Sequence, residues 1–290
     1  MKNFLILLCL LFSSAIFAET ALYTTDTLKP KTASDIKSAL ENFTKNYPDK
    51  NILFYVHGRS KTFDSEYESS MEMEKEYNVK VIMLRWNSWL SPIQRPVNNA
   101  KKASQLLSDS LEELNNLKMN RPELFANRKL LFLSHSMGNI TLKNYIENFD
   151  SSNLERNLFD SMVLSGADVP FREHDKWLTR VEFTSKLSVV VNHNDIILKA
   201  STMLDFPDLN FRDDRLGLGF GLDRDGVFSR HSAANATYID LTKVNKTGHR
   251  HFLSKRSDVR YLYHYLFLET TEAFKLPFKK KDNLITILKD

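Results

Sequence analysis

The side chains with the clearest chemical potential lie in the segment SHSMG, residues 134–138. The segment follows an apolar run and differs by one residue from the G-x-S-x-G pattern, which exposes a nucleophilic serine at a strand-to-helix turn. Gly138 meets the need for a small residue on the helix side, and Ser134 stands where the pattern has its first glycine. Ser136 is therefore the candidate nucleophile, and His135 beside it is expected to shape the turn. The alternative is a serine that only caps a helix.

A nucleophilic serine needs hydrogen-bond donors for the negative charge that develops on the attacked carbonyl oxygen. The backbone N–H of Met137, at the start of the predicted helix, is the first candidate donor. A second donor usually comes from the loop after an earlier strand, and the run NILFYV ends in His57-Gly58-Arg59. Gly58 allows close backbone approach, so the N–H of Arg59 is the expected second donor. The alternative is a simple glycine turn followed by a surface arginine.

The acid that supports such a serine follows it in chain order. Asp195 comes after the apolar run LSVVV, and Asp168 comes after the run SMVL. Asp195 is favoured because a later strand is the more common position for the acid in this architecture. Asp168 stays open as the alternate acid, and either carboxylate could instead be a helix cap or a turn residue.

The base is expected among four histidines of the C-terminal third: His231, His249, His251 and His264. His249 is favoured because it follows Gly248 in a predicted loop between the last strand and the final helix, where a flexible backbone can present an imidazole. His251 is the alternate base, and His264 is expected to pack within the aromatic helix. In this hypothesis Asp195 orients His249, and His249 takes the proton of Ser136.

These residues require a scaffold that brings several strand ends to one edge. Short apolar runs without period-two alternation are typical of strands buried on both faces. The runs are Asn51–Val56, Val79–Leu84, Lys129–Leu133, Ser161–Leu164, Leu187–Val191 and, more weakly, Thr237–Leu241. Helical patterns alternate with them, at Ser34–Phe43, Asn98–Leu117, Met137–Phe149 and Asp258–Phe274. This order predicts an α/β fold with one doubly wound, mostly parallel sheet and helices on both faces.

The composition limits the classes of function. The chain has 290 residues, 40 Lys and Arg against 36 Asp and Glu, and a net charge of +4, which is weak for a nucleic-acid-binding protein. The single cysteine, Cys9, cannot form an internal disulfide or supply a cysteine-based zinc site. The basic run at residues 279–281 is expected to be a solvated tail.

The N-terminus has the pattern of a secretory signal peptide over residues 1–18. Lys2 precedes an apolar run that is too short to span a bilayer, and small residues lead to a cleavage site after Ala18. Cleavage after Ala15 and an uncleaved anchor are the alternatives. Removal leaves residues 19–290 as the domain of an exported, periplasmic or secreted protein. It also removes the only thiol, so the nucleophile must be an oxygen.

Four motifs together resemble a bacterial α/β-hydrolase family of unknown function. They are His57-Gly58-Arg59, Arg85-Trp86-Asn87-Ser88-Trp89, His135-Ser136-Met137-Gly138-Asn139 and Gly248-His249, and Arg215-Leu216-Gly217 also fits. The resemblance covers roughly residues 50–255 and implies the α/β-hydrolase fold. Two positions depart from the family pattern, because Asn87 replaces an expected proline and His251 replaces a usual aromatic residue.

The resemblance implies a serine hydrolase, with a small-molecule or lipid ester as the expected substrate. The reaction would need neither a metal nor an organic cofactor. The alternatives are an acyltransferase that uses the same three residues and an inactive hydrolase fold that serves in binding. Trp86 and Trp89 are expected either to line an acyl pocket or to pack in the core. The oligomeric state is not predicted from the sequence.

Overall fold

A computed structural model describes residues 20–204, 215–219, 232–245, 248–268 and 277–288. The described strands are β1 (Ala21–Thr24), β2 (Thr27–Lys31), β3 (Asn51–Val56), β4 (Val79–Arg85), β5 (Leu130–His135), β6 (Ser161–Ser165), β7 (Leu187–Val191), β8 (Ala236–Asp240), β9 (Phe278–Lys281) and β10 (Leu284–Ile287). The described α-helices are α1 (Ile36–Asn46), α2 (Phe63–Tyr77), α3 (Val97–Lys102), α4 (Ser104–Asn120), α5 (Gly138–Asn148), α6 (His174–Leu178), α7 (Ile196–Leu204) and α8 (Ser257–Leu268). The predicted signal peptide and His231 lie outside the described residues.

The strands in the described ranges form one sheet in the order β2-β1-β4-β3-β5-β6-β7-β8-β10-β9. From β4 to β10 all neighbouring strands pair in parallel, and antiparallel pairing is confined to β1 with β2, β1 with β4, and β10 with β9. The predicted mostly parallel sheet is therefore confirmed. Parallel pairing places the carboxyl ends of β3, β5, β6 and β7 along one edge, where ligands bind in open α/β sheets.

The lack of alternation in the strand sequences follows from burial on both faces. In β3, Phe54 belongs to the core that contains α1, α4 and α5, whereas Tyr55 belongs to the core that contains α2 and α8. Both side chains are fully buried. A strand covered on both faces places apolar residues at successive positions, which explains the continuous runs.

The structure corrects two element predictions. The helix predicted over Asn98–Leu117 is two helices, α3 and α4, separated at Ala103. At this point the Ser104 hydroxyl donates to the Lys101 carbonyl at 2.6 Å, a local hydrogen bond that favours a bend in the helix. The basic run at 279–281 is exposed to solvent as expected, but it is not a tail, because it lies in β9 and pairs with β10.

Several elements are not predicted from the sequence patterns, namely β1, β2, α2, α6, α7, β9 and β10. The helix α2 matters for the site, because it lies between β3 and β4 and contacts the segment that carries His249 through Arg250. In the described part of the chain, no helix combines the length and apolar character needed to cross a membrane.

Candidate active site

Ser136 lies at the turn between β5 and α5, with its backbone in the left-handed region at φ 52°. This conformation is strained for a residue with a Cβ and is characteristic of a serine held at a nucleophile turn. The Ser136 N–H donates to the Ser165 carbonyl at 3.0 Å, so the neighbouring strand β6 stabilises the strained position. The side chain is thereby held at the carboxyl edge of the sheet.

Two glycines make room for this turn. A Cβ on Gly138 would lie 2.5 Å from the Val56 carbonyl oxygen, which leaves space for no other residue at the start of α5. A Cβ on Gly58 would lie 2.6 Å from the Cβ of Ser136, so the Gly58 backbone packs directly on the nucleophile. Ser134, which replaces the first glycine of the pattern, is fully buried within β5.

Ser136, His249 and Asp195 form a continuous hydrogen-bonded chain. His249 Nε2 lies 2.9 Å from Ser136 Oγ, and His249 Nδ1 lies 2.7 Å from Asp195 Oδ2. Because a carboxylate only accepts hydrogen bonds, Nδ1 carries the proton and Nε2 is free to accept from the serine hydroxyl. The Asp195 side chain is fully buried and that of His249 is 13% exposed. The arrangement can activate a serine hydroxyl.

Asp195 is fixed by the helix that follows it. Its Oδ1 accepts hydrogen bonds from the N–H groups of Ile197 at 3.0 Å and Leu198 at 3.1 Å, at the start of α7. The carboxylate therefore uses one oxygen as a helix cap and the other to orient His249. The carboxylate also lies at the positive end of the α7 dipole.

His249 is positioned by the surrounding backbone. Gly166 adopts φ 53°, and a Cβ there would lie 3.3 Å from the His249 ring. Asn192, at the end of β7, donates to the Gly248 carbonyl at 3.3 Å. On the other side, Arg250 binds Glu66 of α2 at 2.6 Å. The sequence does not predict this anchor, whose signal is limited to the position of Arg250 next to His249.

The loop after β3 is held by His57. Its Nε2 accepts the Trp86 N–H at 3.2 Å, so Nδ1 carries the proton and donates to the Gly58 carbonyl at 2.6 Å. The Trp86 indole donates to the His57 carbonyl at 2.9 Å. Burial lowers the pKa of His57, which keeps the ring neutral. These bonds fix the Gly58–Arg59 peptide beside Ser136, as an oxyanion donor requires.

Met137 and His135 occupy the two sides of Ser136. Met137 is the N-cap residue of α5, so its N–H belongs to the first amides of the helix, which have no partner within the helix. His135 is buried with its ring 4.7 Å from the His249 ring. Burial lowers the pKa of His135 well below its usual value, so a neutral ring packs against the candidate base.

The alternate acid, Asp168, has other partners. Its carboxylate lies 3.1 Å from both Arg95 and Arg215 and accepts the Ser201 hydroxyl at 2.7 Å. The Asp168 N–H donates to the Ser136 carbonyl at 3.1 Å, so the residue borders the nucleophile through its backbone. Neither arginine is predicted from the sequence as a partner of Asp168, because both are distant from it in the chain, although Arg215 belongs to the segment Arg215-Leu216-Gly217 noted above.

The alternate base, His251, lies behind His249. It is fully buried, its Nε2 donates to the Gly248 carbonyl at 2.8 Å, and it is 3.9 Å from Asp195 Oδ2. Burial lowers the pKa of His251 to about 4. His264 lies in α8 and contacts Glu76 at 3.0 Å. Among the described histidines, the structure therefore brings His249 to Ser136.

The fold and the geometry of this edge are those of the α/β hydrolases. The chain belongs to the family described as alpha/beta hydrolase of unknown function (DUF900), whose model matches residues 32–262.

A solved product of the gene lin2722 from Listeria innocua aligns with a TM-score of 0.41 and 13% identity, covering 82% of this chain and 99% of that one. No curated protein matches the sequence significantly.

Proposed function

We propose that the protein is an exported serine hydrolase that cleaves carboxylic esters through an acyl-enzyme. The observation that carries the proposal is the hydrogen-bonded chain from Ser136 through His249 to buried Asp195, with distances of 2.9 and 2.7 Å. Such a chain has the distances needed for a nucleophile, its base and the group that orients the base. Residues 1–18 support export, because they have the pattern of a signal peptide.

The reaction follows from the positions of the atoms. Ser136 Oγ attacks the ester carbonyl carbon while its proton moves to His249 Nε2, and Asp195 stabilises the resulting imidazolium. The N–H groups of Met137 and Arg59 stabilise the negative carbonyl oxygen. His249 then gives the proton to the departing alkoxide as the ester C–O bond breaks. In the second half, His249 takes a proton from water, which attacks the acyl carbonyl carbon; His249 then returns the proton to Ser136 Oγ as the acyl–Oγ bond breaks and the acid leaves.

The proposal is tested with a fluorophosphonate probe that reacts covalently with an activated serine. We expect the wild-type protein to be labelled and the Ser136→Ala variant to remain unlabelled. Ser134→Ala is the matched control, since Ser134 lies two residues away within β5, and it should be labelled as the wild type is. A folded wild-type protein that stays unlabelled would overturn the proposal and favour an inactive binding protein.

Whether water or an alcohol receives the acyl group is a separate question for the same site. A panel of short and long acyl esters, assayed with and without an added alcohol, distinguishes hydrolysis from acyl transfer. Release of free acid as the main product in both conditions supports the hydrolase. Preferential formation of the new ester at low alcohol concentration would instead identify an acyltransferase.

A further inference from the structure

Arg59 follows the glycine that packs on the candidate nucleophile, and its guanidinium has no carboxylate partner among the described residues. Its guanidinium stacks over the Trp89 ring at 4.6 Å and donates through Nη2 to the Ser91 carbonyl. Within the described ranges, no carboxylate lies at ion-pair distance from Arg59, and its Nε is buried without a hydrogen-bond partner. The side chain is thus held in one orientation without an ion pair to any described carboxylate.

The position of this guanidinium can be inferred from its neighbours. Gly58, the preceding residue, packs against Ser136. The Asp168 N–H donates to the Ser136 carbonyl at 3.1 Å, and burial lowers the pKa of Arg59 while the charge of Asp168 opposes that shift. Arg59 therefore follows the carboxyl end of β3 next to Ser136, and its guanidinium lies against Trp89 and Ser91 of the segment that follows β4.

The Asp168 carboxylate favours the charged form of Arg59 but forms no ion pair with it. One of its carboxylate oxygens binds Arg215 and Ser201, and the other binds Arg95. Both oxygens are thus committed to side chains that are buried with them. The desolvation of a partly buried guanidinium is unfavourable unless an anion approaches it, and the bound substrate is the group that can provide one.

Resting on the proposed function, we infer that Arg59 selects esters that carry an oxyanion, a carboxylate or a phosphate, close to the scissile bond. The Trp89 stack and the Ser91 carbonyl hold the guanidinium in place, which reduces the entropy lost on binding. The planar fork of the guanidinium matches both kinds of oxyanion, so the two share one recognition chemistry.

The test compares labelling rates of two fluorophosphonates with equal chain length, one ending in a methyl group and one in a carboxylate. In the wild type we expect the carboxylate probe to react about tenfold faster, as suits a charge-assisted hydrogen bond at a partly exposed site. A third probe with a terminal phosphate shows which oxyanion is preferred. Added salt should reduce the ratio, because it screens the attraction.

The variants assign the preference to one side chain. Arg59→Gln should bring the ratio of the two rates close to one, and Arg59→Lys should keep part of it, because the charge remains but the fork is lost. Arg156→Gln is the control, since the Arg156 side chain is 86% exposed and precedes β6 at the opposite edge of the sheet. It should retain the wild-type ratio.

The outcomes separate the two proposals. Equal labelling of the wild type by both probes, or an unchanged ratio in Arg59→Gln, would overturn the selection of anionic esters and leave the serine hydrolase intact. Absence of labelling by every probe would overturn the proposed function, and this inference with it. If Arg59→Gln fails to fold, the Arg59→Lys ratio and the salt dependence of the wild type decide the question.

Discussion

Replacing Asp195 by asparagine should invert the hydrogen bonding of His249. The Ile197 and Leu198 N–H groups both point at Asp195 Oδ1, so the amide of an asparagine must place its oxygen there. Its NH₂ group then faces His249 Nδ1, at the position where Oδ2 now lies 2.7 Å away. Nδ1 must accept a hydrogen bond, and the proton moves to Nε2. A protonated Nε2 donates to Ser136 and cannot take its proton.

The expected effect on reactivity is large and the effect on stability is small. A wrong tautomer in this type of triad costs about 10⁴-fold in rate. The asparagine keeps both cap hydrogen bonds of α7 and loses only the favourable interaction of a charge with the helix dipole, about 1 kcal/mol. The Asp195→Asn variant should therefore be folded and almost unreactive.

Asp168→Asn is the matched comparison, because it should have the opposite profile. Its carboxylate pairs with two side chains that are only 8% and 5% exposed, Arg95 and Arg215. Removing the charge from such a buried pair destabilises a protein by about 3 kcal/mol. The His249 tautomer does not depend on Asp168, so labelling of the folded fraction should fall far less than in Asp195→Asn.

The assay combines the rate of fluorophosphonate labelling with unfolding in urea for each variant. Asp195→Asn labelled within about tenfold of the wild type would refute the tautomer argument, whose expected loss is about 10⁴-fold. A greater loss of labelling in Asp168→Asn, at equal folded fraction, would instead identify Asp168 as the acid.

Two further predictions concern stability and export. Burial lowers the pKa of His251 from 6.5 to about 4, so the unfolded chain binds a proton more readily than the folded one. The contribution of neutral His251 to the free energy of unfolding is therefore fully present above pH 6.5. It falls by about 3 kcal/mol as the pH drops to 4. Urea unfolding across this range should show a shallower loss for His251→Gln, and parallel curves would contradict the assignment. If the export proposal holds, N-terminal sequencing of the protein from the periplasm or the medium should begin at Glu19, whereas retention of Lys2 would exclude cleavage.

The central strands can be predicted from the sequence, because strands buried on both faces appear as continuous apolar runs. Asn51–Val56 and Leu187–Val191 are the strands β3 and β7 as predicted, since each is covered by helices on both faces. The strands near the edges have a weaker apolar pattern, because they are short and partly polar. The helix α2 is also polar, and its buried Glu66 is compensated by Arg250, a partner that is distant in sequence.

The candidate site shows the same division between local and distant information. The turn at Ser136 follows from local sequence, because a strand, a small residue and a helix are adjacent in the chain. Local sequence does not distinguish Asp168 from Asp195, since both follow buried parallel strands. The structure distinguishes them through contacts between distant segments, which place Arg95 and Arg215 on Asp168 and His249 on Asp195.

The two outer strands of the sheet have a consequence for how the protein behaves among its own copies. An uncovered strand edge offers unpaired backbone groups to which a second chain can add. Here β2 carries exposed Lys29 and Pro30, and all four residues of β9, Phe278–Lys281, are exposed, three of them lysines. Proline has no N–H to donate, and lysines of two approaching edges repel each other. Both ends of the sheet therefore resist strand addition, and aggregation by edge-to-edge pairing is disfavoured.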